Sequence, residues 1–277
     1  MSDITPIQNN KSHIAIVIVE PQGPLNVGAI ARVMKNMGLC RLVLVNPQCD
    51  CFGEAAQRMA VHAKDILAQA TVVDSLAIAL TDCQRVIATT ARERTLQSPL
   101  ETPRQALPWL LSPQGSSALV FGREDNGLSN EELNQAHRFV RIPVDPSYTA
   151  LNLSQAVAVC AYELHQASLE FSPPFTDLAG ENTMAPAIAT APEDRPLASI
   201  ASLEGYYQHL EKTLLDIQVL YPHTAAARMA KLKRIYQRSG LSEDEVALLR
   251  GMLGQVDWLS QQLAVRVSQP QQSAEEW

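Results

Sequence analysis

No apolar run in this sequence approaches the roughly 20 residues that a helix needs to cross a bilayer, so no transmembrane span is expected. The segment Met1 to Lys11 is polar and has no apolar h-region, which leaves no secretion signal and implies a cytoplasmic protein. Cysteine is sparse and odd in number, with Cys40, Cys49, Cys51, Cys83 and Cys160, and such a set without a secretion signal is expected as free thiols. Cys49-x-Cys51 lacks a Cys-x-x-Cys partner and has only His62 near by, so the donor set of a zinc site is missing and no metal is expected. The pattern Gly-x-Gly-x-x-Gly follows none of the apolar runs, which disfavours a nicotinamide-dependent enzyme. Basic charge is short as well. With 22 Lys and Arg against 29 Asp and Glu the net charge is -7, the reverse of a nonspecific nucleic-acid binder, although a local basic face remains compatible with that total.

What is present is a chain of 277 residues, 46% apolar and 18% charged, long enough for one full α/β domain and something smaller. Apolar runs alternate with helical periodicity, the pattern of a mainly parallel sheet. Ile14 to Val19 reads as a buried strand. A helix is expected over Asn26 to Met37, with Ile30, Val33, Met34 and Met37 on its buried face and Gly38 as its stop. Strands follow at Leu42 to Val45, Thr71 to Val73, Arg85 to Thr90, Ser117 to Phe121 and Phe139 to Pro143, with helix over Glu54 to Gln69 and Leu153 to Leu169. Ser129 with Glu132 is a capping box opening a further helix.

From Ser172 to Pro196 the texture turns to Pro, Ala, Thr and acidic residues, and Pro173, Pro174, Pro186, Pro192 and Pro196 would break any helix. Beyond this linker, Leu203 to Leu220, Thr224 to Arg238 and Ser242 to Leu263 read as three helices, the last opened by Ser242 and Glu245. The expected organisation is therefore a flexible segment 1–12, an α/β domain 13–171, a linker 172–199, a small all-α domain 200–265 and a tail 266–277. The middle helix gathers Arg228, Lys231, Arg234 and Arg238 within roughly a third of its circumference, uninterrupted by acidic residues. That stripe reads either as a phosphate-binding surface or as a solvated helix face.

Three sequence-distant strands end in turns that open helices. They are Asn26-x-Gly28-x-x-x-Arg32, Phe121-Gly122-Arg123-Glu124 through Gly127, and Leu151-Asn152-Leu153-Ser154. Ligands bind beyond the carboxyl ends of strands in open α/β sheets, so one composite site explains all three together. Asn26 could cap the first helix, Gly28 admits a close approach by backbone or ligand, and Arg32 off the apolar stripe suits an anion or a developing negative charge. Glu124 and Asp125 offer acceptors in the second turn, and Asn152 or Ser154 could cap the helix after the third. Taken singly, each turn reads more readily as an ordinary polar connection, with Arg32 a solvated side chain.

In this order, the three motifs resemble the SpoU branch of the SPOUT RNA methyltransferases, over about Ile14 to Glu170. Within that branch, the glutamate of the second motif, the Thr89-Thr90-Ala91-Arg92 turn and the helical extension with Lys231 to Tyr236 and Leu248 to Leu253 are most like the tRNA (cytidine/uridine-2'-O)-methyltransferases of the anticodon loop. Thr149-Ala150 stands where two serines are frequent in the family. The resemblance implies a deep trefoil knot at the C-terminal end of the parallel sheet, a feature that general folding rules would not propose. It implies S-adenosyl-L-methionine as cofactor, held by Thr89, Thr90, Ala91, Gly122, Ile142, Thr149, Ala150 and Leu151. It implies 2'-O-methylation of cytidine or uridine at position 32 of tRNA, with Arg32 at the nucleophile and Asn26, Glu124 and Asn152 positioning Arg32 and the ribose. It also implies a homodimer paired through the knots, with Arg92 and Arg94 as contributors to RNA binding beside Arg228, Lys231, Arg234 and Arg238. A sibling acting on ribosomal RNA and a silent RNA-binding protein with the same knot are the rivals. The C-terminal position of the extension and the few residues before the first strand favour tRNA, while the retained Arg32 and cofactor turn favour an enzyme.

Overall fold

The computed structural model describes residues 11–91, 99–170 and 196–268, and contacts divide these into a first unit ending at Pro196 and a second beginning at Leu197. Arg92, Arg94 and nearly all of the expected linker lie outside the described residues.

Seven parallel strands form the frame of the first unit, in the order β3-β2-β1-β6-β4-β7-β5. They are β1 (Ile14–Val19), β2 (Arg41–Val45), β3 (Thr71–Val73), β4 (Cys83–Thr89), β5 (Leu100–Glu101), β6 (Ser116–Phe121) and β7 (Arg138–Val140). β1 is buried at every position because helices cover both faces of a parallel sheet, which is why its sequence is a continuous rather than an alternating apolar run. Two differences from the sequence expectation concern ends: β7 stops at Val140 rather than Pro143, and the two-residue edge strand β5 carries too little pattern to be read in advance.

Helix α1 (Pro24–Asn36) starts two residues earlier than expected. Gly23 is its N-cap and Pro24 its first residue, where a fixed φ and a missing N–H suit the helix start. Asn26 is therefore not the cap. Gly38, at φ 68°, ends the helix as expected, with the Leu39 amide donating to the Met34 carbonyl at 2.8 Å. Helix α1 rests on α2 (Glu54–Ala60) so closely that a Cβ on Gly28 would lie 2.2 Å from the Ala56 carbonyl oxygen. Gly28 thus serves backbone packing and not ligand approach. The helix expected over Glu54 to Gln69 is broken into α2 and α3 (Lys64–Ala68), with Val61 at φ 54° between them. After α4 (Leu76–Leu80) and α5 (Pro103–Ala106) comes a 3-10 turn, Leu107–Leu111. The expected capping box is present before α6 (Asn130–Leu133), with Ser129 and Glu132 each bonding the other's backbone amide. Helix α7 (Leu153–Glu170) closes the unit, burying Val157, Cys160, Ala161 and Leu164.

Just before β7, the His137 Nδ1 accepts the Val86 amide at 3.1 Å and its ring meets Trp109 edge-on. Burial, with the Arg85 charge near by, pushes the imidazole down to about 4. The native state then binds fewer protons than the unfolded chain between pH 6.5 and 4, so stability is full above 6.5 and falls as the pH drops through that window. Urea melts of the parent and a His137→Gln variant at pH 7.5 and 4.5 are expected to show a larger acid loss in the parent, by up to about 3 kcal/mol. Equal acid losses would remove His137 as the source.

The second unit consists of α8 (Ile200–Asp216), α9 (Pro222–Ser239) and α10 (Glu243–Ser268). Helix α8 runs earlier than the expected Leu203 to Leu220 because Ser199 caps it, accepting from the Ser202 amide at 3.1 Å. Ser242 and Glu245 form the expected reciprocal pair at the start of α10. Leu203, Tyr206, Leu210, Met229 and Val246 supply a separate core.

Candidate active site

Strands β4, β6 and β7 are neighbours, and a cavity of about 330 Å³ lies beyond their carboxyl ends. All eight positions expected at the cofactor line it: Thr89 at the end of β4 with Thr90 and Ala91 beyond it, Gly122 after β6, and Ile142, Thr149, Ala150 and Leu151 after β7. The Thr89 hydroxyl donates to the Val120 carbonyl at 3.0 Å and ties β4 to β6, so its part in the wall is structural. Val140, Leu153 and Ala156 add apolar surface, while Glu124 and Asp125 add acceptors at the rim. Such a lining, apolar with a few placed polar groups, suits a flat heterocycle joined to a positively charged chain.

The second turn folds back on itself. A Cβ on Gly122 would lie 2.3 Å from the Gly127 carbonyl carbon and 2.4 Å from the Leu128 nitrogen, and Gly127 has φ 68°. Both glycines are therefore required by the loop's own closure.

Glu124 joins this loop to the first motif. Its carboxylate accepts from the amides of Gln22 at 3.1 Å and Gly23 at 3.2 Å and from Asn26 Nδ2 at 3.1 Å. A carboxylate from one strand end thus satisfies the open amides at the start of α1, where an anion is favoured. Asn26 Oδ1 in turn accepts from Asn152 Nδ2 at 3.0 Å. Asn152 Oδ1 accepts from the Ser154 amide at 2.9 Å and the Ser154 hydroxyl at 2.7 Å, capping α7. One hydrogen-bonded chain, Glu124 to Asn26 to Asn152, therefore links all three motifs.

Arg32 is not part of it. It stands exposed on the outer stripe of α1, does not line the cavity, and makes no hydrogen bond or ion pair among the described residues. The expectation that Asn26, Glu124 and Asn152 hold Arg32 by hydrogen bonds is therefore corrected for the single chain. Arg32 lies six residues after Asn26, about a third of a turn around the helix, and faces elsewhere.

Arg123 was not singled out from the sequence, yet it braces the loop. Its Nε donates to Glu20 at 2.6 Å, and its two terminal nitrogens to Glu132 at 2.9 and 3.0 Å. The guanidinium holds the Glu20 carboxyl below the usual range, and both carboxylates raise the arginine further. Asn46 Nδ2 completes the cluster at 3.2 Å from Glu20. The signal lies in register: Ile18 pairs with Phe121, so the residues two beyond each strand partner, Glu20 and Arg123, fall side by side. Near the same end, the Cys49 and Cys51 sulfurs are 3.6 Å apart as free thiols, with burial pushing Cys51 up to about 12. Among the described residues no cluster of three or more His, Cys, Asp or Glu side chains is arranged to hold a metal ion.

Residues 13–162 match the profile of the SpoU rRNA Methylase family. The chain belongs to the SpoU methylase family. Residues 201–271 match a second profile, the C-terminal domain of the tRNA methyltransferase TrmJ. This SpoU chain is 41% identical over 259 residues to the tRNA (cytidine/uridine/adenosine-2'-O-)-methyltransferase TrmJ of Pseudomonas aeruginosa, covering 92% of the chain and 98% of that relative. It is 40% identical to the tRNA (cytidine/uridine-2'-O-)-methyltransferase TrmJ of Pectobacterium atrosepticum, over 88% of the chain and 96% of the relative. Among solved structures, TrmJ from Z. mobilis ZM4 superimposes with a TM-score of 0.72 at 31% identity, covering 88% of this SpoU chain and 98% of its own.

In the second unit, the expected basic stripe is divided. Arg228 and Lys231 are exposed, Arg234 is half-buried with its Nε turned back to the Ala230 carbonyl at 3.0 Å, and the Arg238 side chain lies outside the described residues.

Proposed function

We propose that this protein methylates the ribose 2'-hydroxyl of cytidine or uridine at position 32 of tRNA, using S-adenosyl-L-methionine. The observation that carries the reading is the single cavity on which three sequence-distant turns converge, joined through Glu124, Asn26 and Asn152. The eight positions on the cavity wall are small, apolar or turn-forming, a donor set suited to adenine and a methionine chain, and the acidic rim suits their positive charge. When bound, the cofactor would supply an electrophilic methyl group on a sulfonium centre: the ribose 2'-oxygen would take it up as the sulfur–carbon bond breaks, with S-adenosylhomocysteine leaving as a neutral thioether and the hydroxyl proton passing to solvent. Arg32 is the catalytic cation in this reading: its exposed guanidinium stabilises the alkoxide developing on the ribose of an RNA laid across the surface. Asn26, Glu124 and Asn152 act by fixing the loops around the reacting atoms, since their polar atoms are engaged with one another and with backbone amides.

Residues 13–171 form the catalytic domain in this proposal, with a trefoil knot at the cavity, and 200–265 form an extension that reads RNA phosphates through Arg228 and Lys231. Arg92, Arg94, Arg234 and Arg238 complete the basic set. The protein acts as a cytoplasmic homodimer. An exposed apolar stripe on α7, Val159, Tyr162 and Leu169, is the face that supports pairing.

The test is incubation with radiolabelled S-adenosylmethionine and separated tRNA and ribosomal RNA, followed by mapping of alkali-resistant linkages. Label is expected in tRNA, in a linkage whose 5' nucleoside is 2'-O-methylcytidine or 2'-O-methyluridine. Label confined to ribosomal RNA, or on a base, would overturn the assignment.

A further inference from the structure

The loop between α8 and α9 carries a surface that the methyl-transfer chemistry does not use. Val219 is 51% and Tyr221 51% exposed, and His223 is exposed beside them. The rings of Tyr221 and His223 lie with planes 27° from parallel and centroids 6.1 Å apart. Of the apolar residues in this loop, Leu220 turns inward, while Ile217, Val219 and Tyr221 stay exposed together.

The loop is rigid in construction. The amides of Val219 and Leu220 both donate to the Leu214 carbonyl at 2.9 Å, Gln218 takes φ 61°, and Leu220 is buried as an anchor. The Tyr221 carbonyl accepts from the amides of Thr224 and Ala225 at 2.9 Å, and Pro222 opens α9. The rings therefore stand on a fixed backbone, so little ordering is needed when something binds.

Charge identifies the occupant. Arg228 donates to the Val219 carbonyl at 3.1 Å, which brings a guanidinium to the edge of the loop. Lys231 follows one turn along and makes no ion pair among the described residues, and no Asp or Glu occurs between Pro222 and Ser239. Lys233 faces the other way, bonded to Glu204 and lying over Tyr207. Aromatic faces bordered by cations suit an unpaired nucleobase with its flanking phosphates.

We propose that Tyr221 and His223 form a stacking platform for an unpaired base of the RNA substrate, with Arg228 and Lys231 on the adjoining phosphates. The proposal rests on the reading of tRNA as substrate. In the full-length protein, Tyr221→Ala is expected to weaken tRNA binding about 5- to 100-fold while the slope of affinity against salt stays unchanged. Tyr221→Phe, which keeps the ring, should bind within two-fold of the parent, and kcat at saturating tRNA should hold in both variants. Lys231→Gln should instead reduce the salt slope by about one. The Tyr221 side chain is exposed, so equal melting temperatures check that the variants are folded. Parental tRNA affinity in Tyr221→Ala, or equal losses in the Ala and Phe variants, would overturn the platform. The methylation assay on the parent protein separates that result from failure of the substrate assignment, because it reads neither residue.

Discussion

Replacing Arg32 by alanine is expected to lower methyl transfer to tRNA about 10²- to 10³-fold while S-adenosylmethionine binds as tightly as to the parent. The cofactor cavity contains no atom of Arg32, and its side chain bonds to nothing in the described fold, so neither stability nor cofactor binding depends on it. None of the three motifs contains a histidine to serve as an obvious base, which leaves stabilisation of the developing alkoxide as the task for a cation. Arg32→Lys keeps the charge and loses the planar fork, so intermediate activity is expected. Single-turnover rates with saturating tRNA, together with calorimetric titration of the cofactor, check both halves. Methylation at the parental rate in Arg32→Ala would falsify the role.

The second large effect is expected at Gly122. An added Cβ would press on the Gly127 carbonyl carbon and the Leu128 nitrogen, backbone atoms that cannot swing aside as a side chain would. Gly122, Gly127 and Leu128 all line the cavity, so the collision opens the cofactor wall itself. Overpacking of this kind costs about 1–3 kcal/mol, which predicts a loss of cofactor affinity of about 5- to 150-fold in Gly122→Ala. The loop is a surface connection, and the strand order and core are expected to survive in circular dichroism and melting curves. A cofactor affinity equal to the parent's in the folded variant would show that the loop relaxes without moving the wall.

These two positions also show what the sequence made legible. The turn that holds Gly122 could be recognised as a strand-ending local pattern, although its place at the cofactor came only from the family resemblance, and the parallel sheet could be recognised because β1 is an unbroken apolar run. Local patterns also announced the Ser129 and Ser242 capping boxes and the stop at Gly38. Features that depend on which strands lie side by side were not legible. Arg123 faces Glu20 only because β6 is inserted between β1 and β4, and no local pattern reports that insertion. The same holds for Asn26: a polar residue after a strand suggests a cap, but the helix start went to Gly23 and Pro24, and Glu124 from another strand end took the open amides. An exposed, solvated Arg32 was one of the two readings its position allowed, since helical spacing places it off the apolar stripe without saying whether that side faces solvent or a ligand.

The insertion of β6 also governs how the chain reaches this state. Strand β1 has β2 on one side and β6 on the other, and Glu124 must find the Gln22 and Gly23 amides across the intervening β2, β3, β4 and β5 segments. A growing polypeptide that has reached Asn46 holds β1 and β2 but leaves one edge of β1, the most apolar strand of the sheet, unpaired until Ser116–Phe121 has been synthesised. Pairings this distant in sequence make for slow folding, and an apolar edge left open meanwhile is prone to aggregate. Chaperone capture of the nascent chain should therefore be strongest before β6 emerges and should fall once it has docked.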